Sequence, residues 1–162
     1  MISKKALTRK VFQDPHYFTA FGFGSGLLAP APGTWGTLAA IPLYLLMTDL
    51  SAYSYMTICI LAFAYGCWAC HKVSTELQVH DYKGIVWDEV VGYWLTMFLI
   101  PYSISALVLG FFLFRFFDIL KPPPIRWIDK HVHGGIGIML DDVLAAVPAW
   151  LILYLLTWTG IL

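Results

Sequence analysis

Long, nearly uncharged apolar stretches constrain this chain more than any other feature; they fall at about residues 35–50, 52–70, 90–101, 104–117 and 143–162. Each is helix-length rather than strand-length. Treating them as core helices of a soluble bundle would demand a larger core than 162 residues supply, above all for 143–162 with Trp150 and Trp158. Charged residues make up only 12% of the chain, where a soluble domain usually carries about 25%. The pattern predicts an all-α, multi-helical integral membrane protein forming a single domain over 1–162, with about five short membrane helices. Short turns at Asp49-Leu50-Ser51 and Pro101-Tyr102-Ser103 predict two helical hairpins, followed by a C-terminal helix. The third and fourth stretches are shorter than the ~20 residues of a perpendicular span, so re-entrance, local thinning or burial behind neighbours is expected there.

Charge placement orients the helices. The N-terminus and segments 72–89 and 115–142 hold every charged residue except Asp49. An alternating path of five spans puts all three on one side, and the positive-inside rule makes that side cytoplasmic. The basic N-terminus is not followed by an apolar core, so no cleaved signal peptide is expected. A net charge of zero gives no global field to attract nucleic acid. Cys59, Cys67 and Cys70 all lie in an apolar helical stretch, which argues against a disulfide framework, and Cys67-x-x-Cys70 lacks the second CxxC of a zinc site.

Two acidic pairs, Asp88-Glu89 and Asp141-Asp142, stand immediately before apolar stretches and read as helix starts. Capping by one Asp contributes about 0.5–2 kcal/mol and accounts for one acid at each place. The second acid adds like-charge repulsion beside a bilayer, where a charge costs roughly 2.5–3.5 kcal/mol at the centre and less toward the interface. A divalent cation removes the conflict, and an all-oxygen ligand set suits Mg²⁺ or Mn²⁺.

Arg115, Asp118 and Lys121 recur every three residues at a helix end, on one face. Taken alone this is equally an intrahelical ion pair with Lys121 reaching to the interface. Pro122-Pro123-Pro124 ends the helix, and an extended run through Arg126, Lys130, His131 and His133 is expected after it. Those cations and histidines beside acids supply what cleavage of a phosphate monoester needs, charge for the phosphoryl oxygens and a proton for the leaving alkoxide. The glycine runs at Gly22-Phe23-Gly24-Ser25-Gly26 and Gly134-Gly135-Ile136-Gly137 match no nucleotide-binding signature and read as turns. The cysteines sit in apolar helix and no Asp-x-Asp follows a strand, so metal-assisted attack by water is the phosphatase chemistry left.

From about residue 18 to about 156 the chain resembles the bacterial phosphatidylglycerophosphatase A family. The motifs that carry the resemblance are Gly22-Phe23-Gly24-Ser25-Gly26, Pro32-Gly33-Thr34-Trp35-Gly36-Thr37, Val79-His80-Asp81-Tyr82-Lys83-Gly84-Ile85-Val86-Trp87-Asp88-Glu89, Arg115-Phe116-Phe117-Asp118-Ile119-Leu120-Lys121-Pro122, Pro124-Ile125-Arg126-Trp127, and His133-Gly134-Gly135-Ile136-Gly137-Ile138-Met139-Leu140-Asp141-Asp142. The resemblance implies Mg²⁺-dependent hydrolysis of phosphatidylglycerol phosphate to phosphatidylglycerol and inorganic phosphate, in the bacterial inner membrane. The resemblance assigns no roles; from the clustering of acids and bases, Asp88, Glu89, Asp141 and Asp142, with Asp118, are the expected metal ligands, and Arg115, Lys121, Arg126 and Thr34 the expected phosphate-binding residues. His133 or His131 is the expected proton carrier, with His80-Asp81 a weaker pair. Partners are the lipid substrate and the membrane; oligomeric state is open. A cation transporter would also hold carboxylates in a membrane, but its path needs polar groups on both sides and here the far side has only Asp49. A phosphatidyl-group transferase would show a longer Asp-Gly-Ala-Arg type signature, which is missing.

Overall fold

The computed structural model describes residues 3–79 and 82–162, and among these every regular element is helical. Helix α1 (Lys4–Gln13) and α2 (Pro15–Ala20) are capped by Ser3 and Asp14, whose side chains accept from Ala6 N and His16 N. A 3-10 segment (Gly22–Leu27) leads into α3 (Pro32–Leu45). Ser51 and Ser103 cap α4 (Ala52–Leu77) and α6 (Ile104–Leu120) in the same way. Between them stands α5 (Trp87–Thr96); α7 (Ile125–His131) and α8 (Gly134–Trp158) complete the chain.

Two elements differ from expectation. The segment after the three prolines is helical, not extended: proline breaks α6 because it lacks an N–H, yet is welcome at a helix beginning, and Pro124 immediately precedes α7. The second glycine run is no turn but the first turn of α8. A Cβ at Gly135 would collide with the Cys67 carbonyl of α4, so glycine lets the two long helices touch backbone to backbone there.

Helix α8 is the central post, packed on α4, α5, α6 and α7. Helix α5 has 10 residues, about 15 Å, half a ~30 Å hydrocarbon core. It lies buried among its neighbours through Val90, Val91, Tyr93 and Trp94. Polar tips of aromatic side chains tie it in place: Trp94 Nε1 donates to Ala40 O of α3 (3.1 Å), Trp87 Nε1 to Ala62 O of α4 (3.0 Å), and Tyr93 OH to Leu107 O of α6 (3.1 Å). Each bond gives the polar tip of an aromatic ring a backbone carbonyl on a neighbouring helix.

Helices α4 and α8 are long and apolar enough to cross a membrane. Ile60 and Leu61 of α4, Phe112 and Phe116 of α6, and Val147 and Leu151 of α8 point outward, a distribution suited to lipid contact. The helices share two ends. One gathers the C-termini of α3 and α5 and the N-terminus of α4 around Tyr44, Thr48, Ala52, Tyr55 and Pro101. At the other, the N-termini of α3 and α5 meet the C-terminus of α6 and residues 137–142 of α8.

Candidate active site

At this second end lies a cavity of 710 Å³ whose walls carry Asp88, Glu89, Asp118, Asp141, Asp142, Arg115 and Lys121. Seven of the residues singled out in the sequence thus converge from α5, α6 and α8. Asp88 and Glu89 occupy the first turn of α5, as expected. Asp141 and Asp142 do not begin a helix: α8 starts at Gly134, two turns or about 10 Å earlier. Neither α5 nor α8 has a side-chain cap. Helix capping therefore explains neither pair.

Pairing inside the cavity is partial. Arg115 bridges Asp118 on its own helix and lies 3.6 Å from Glu89 Oε1. Lys121, in the left-handed conformation that ends α6, turns back to Asp141 and to Asp129 of α7 (2.8 Å). Burial opposes charge on Lys121, but the carboxylates of Asp141 and Asp129 outweigh it and hold its proton above the ordinary lysine range.

What is left over is acidic. Oxygens of Asp88, Glu89 and Asp142 lie within 4.8 Å of one another. Asp88 Oδ1, Glu89 Oε2, Asp141 Oδ1 and Asp142 Oδ2 are buried and make no hydrogen bond. Buried polar atoms are nearly always satisfied, so orphaned carboxylate oxygens in one place form a donor set that a cation or a proton can satisfy. A hard divalent ion that takes oxygen ligands fits this donor set.

Several wall residues carried no role in the sequence reading. Asp129 partners Lys121, and Lys83 and Gly33 line the cavity. A Cβ at Gly33 would strike Glu89 Oε1 and come within 3.0 Å of the Arg115 guanidinium, so glycine lets the first turn of α3 close over that pair. Gly33 lies inside one of the quoted motifs; Asp129 had no local signal, because its contact with Lys121 exists only once α7 folds back.

Other expected residues lie elsewhere. His131 is exposed, with Nδ1 2.7 Å from the Trp127 carbonyl and its ring stacked on Trp127. His133 lines a separate hollow beside Cys67, Trp68 and His71. Thr34 follows Gly33 in α3 but is not on the cavity wall. Arg126 lines an adjoining hollow against α6. His80 and Asp81 fall outside the described residues.

Residues 18–157 match the phosphatidylglycerophosphatase A family. The chain is 45% identical over 150 residues to phosphatidylglycerophosphatase A of Escherichia coli, covering 92% of this chain and 87% of that protein. It is 43% identical over 156 residues to phosphatidylglycerophosphatase A of Haemophilus influenzae, covering 95% and 96%. A relative in Bacteroides thetaiotaomicron, 37% identical over 150 residues and covering 85% and 90%, is named provisionally as a phosphatidylinositol-3-phosphatase. No solved structure matches the chain. With the match extending over nearly its whole length, the chain belongs to the phosphatidylglycerophosphatase A family, whose members are phosphoric monoester hydrolases.

Proposed function

We propose that this protein hydrolyses phosphatidylglycerol phosphate to phosphatidylglycerol and inorganic phosphate, using Mg²⁺, from a five-span fold in the bacterial inner membrane with the cavity facing the cytoplasm. The observation that carries this reading is the convergence of orphaned carboxylate oxygens with Arg115 and Lys121 in one cavity. In that five-span topology α4 and α8, each long and apolar enough to cross, would be joined by the shorter α3, α5 and α6, with α5 held inside the bundle and reaching only part of the bilayer's depth. Its orientation rests on the bases: Arg115 and Lys121 stand at the acidic end, and Lys10 of α1 bridges Glu76 near the end of α4 (2.6 Å).

Asp88, Glu89 and Asp142 would hold the ion, with Asp141 and Asp118 alongside. When bound, Mg²⁺ supplies positive charge to the phosphoryl oxygens and a more acidic water. Arg115 and Lys121 bind the remaining phosphate oxygens, leaving their carboxylate partners as they do so. Water oxygen attacks phosphorus and the bond to the glycerol oxygen breaks; a wall carboxylate accepts one proton from the water and passes it to the departing alkoxide, giving the alcohol and inorganic phosphate. The apolar α6 and α8 keep the acyl chains in the bilayer while the headgroup enters.

The test is phosphate release by detergent-solubilised protein. Chelation with EDTA should reduce release from phosphatidylglycerol phosphate by at least ~10²-fold, and added Mg²⁺ should restore it; release indifferent to chelation would remove the metal. Phosphatidylinositol 3-phosphate belongs beside it because of the Bacteroides relative's name, and a higher kcat/KM on that lipid would reverse the headgroup assignment. Because His131 and His133 do not line the cavity, His131→Ala and His133→Ala should each retain kcat within about threefold. Loss of ~10²-fold or more, the usual scale for a general acid or base, would restore that histidine to the chemistry.

A further inference from the structure

Beside the acidic cavity a second hollow, of 940 Å³, opens along the outer face of α6, and the two share Arg115, Ile119, Lys121 and Asp129 in their walls. Its floor is apolar: Phe112, Phe116 and Ile119 are 62%, 56% and 71% exposed and stack along one side of the helix. Its rim is basic, with Arg126 of α7 beyond Arg115 and Lys121. Arg115 and Lys121 are committed to carboxylates, whereas Arg126 is exposed and makes no ion pair among the described residues. An apolar groove leading to an unpaired guanidinium, continuous with a site that takes a phosphate monoester, has the charge and polarity order of a glycerophospholipid entering from the side.

We infer that the α6 hollow is a lipid subsite in which Arg126 binds the phosphodiester joining diacylglycerol to the headgroup, while an acyl chain lies along Phe112 and Phe116. This rests on the proposed substrate, which carries two phosphates, a diester next to the lipid and a monoester at the tip. The cavity cations Arg115 and Lys121 serve the monoester; Arg126 serves the diester. Arg126 is thus a specificity residue that distinguishes a diester-bearing lipid from a simple phosphate ester, and the sequence expectation that it binds the reacting phosphate gives way to a neighbouring role.

The product lipid tests this without turnover, because phosphatidylglycerol keeps the diester and lacks the monoester. Binding of phosphatidylglycerol, diluted in phosphate-free dodecyl maltoside micelles, is measured for the wild-type protein, Arg126→Gln and Arg126→Lys. Arg126→Gln is expected to weaken binding about tenfold, as loss of a charge-assisted bond does, and Arg126→Lys to recover most of it. Saturating inorganic phosphate should leave phosphatidylglycerol bound. Unchanged binding by Arg126→Gln, or displacement of the lipid by inorganic phosphate, would overturn the subsite. A parallel assay of wild-type phosphate release from phosphatidylglycerol phosphate keeps the two ideas apart: lipid binding that depends on Arg126 without release would retain the subsite and sink the proposed reaction. Release with binding indifferent to Arg126 would do the reverse.

Discussion

Asp142→Asn is expected to lower kcat for phosphate release by at least ~10³-fold and, in chelator, to leave the fold as stable as the wild type or more so. Asp142 is 2% exposed, has an orphaned oxygen, and shares a 4.8 Å cluster with Asp88 and Glu89. Without a cation, three carboxylates at that separation repel one another, and burial makes their charge costlier still. Asparagine has almost the same shape, removes one charge, and offers an amide that can donate to the neighbouring carboxylates. Stability traded for function in this way is usual at active sites. Thermal unfolding in detergent with EDTA checks the first half and turnover the second. Mg²⁺ should raise the unfolding temperature of the wild type and do so much less for the variant, since only the wild type offers the full ligand set. Turnover within tenfold of wild type would take Asp142 out of the metal site. A marked drop in stability in EDTA would mean its charge is already satisfied by the protein.

The acids were legible because a carboxylate in an apolar sequence is conspicuous and two adjacent ones exceed what capping requires. The Arg115, Asp118, Lys121 series was legible because a three-residue recurrence is a property of one helix and needs no tertiary information. The start of α8 was not. Glycine costs about 1 kcal/mol per helical residue relative to alanine, so Gly134 to Gly137 reads locally as a turn. The Cys67 carbonyl, which makes glycine necessary at position 135, belongs to a helix more than sixty residues earlier in the chain. That error moved Asp141-Asp142 from two turns inside α8 to its threshold and lent the capping explanation more credit than it deserved. Arg126, His131 and His133 lie off the cavity wall for a related reason: as an extended run they could all reach the acids, whereas on α7 and at the start of α8 the helical turn sends them to different surfaces.

Lys121 offers the second large effect, and here the quantity of interest is a coupling. Lys121→Met is expected to destabilise the protein by about 3–5 kcal/mol, the cost of leaving a buried charge without its partner. The charge so stranded is that of Asp141, whose side chain is 9% exposed, because Asp129, at 38%, can be solvated where it stands. Two double-mutant cycles separate these partners. Adding Asp141→Asn to Lys121→Met should recover about 2 kcal/mol or more, since the stranded charge goes with it. Adding Asp129→Asn should recover less than ~1 kcal/mol, as for an exposed pair. Unfolding of the variants in one detergent measures both cycles. Equal recovery from the two would show that Lys121 is held by its solvated partner as much as by the cavity. Unequal recovery means the carboxylate facing the cavity holds the lysine there, positioned to exchange that carboxylate for a phosphate oxygen. Phosphate release should then stay low in every variant lacking Lys121, including those whose stability returns.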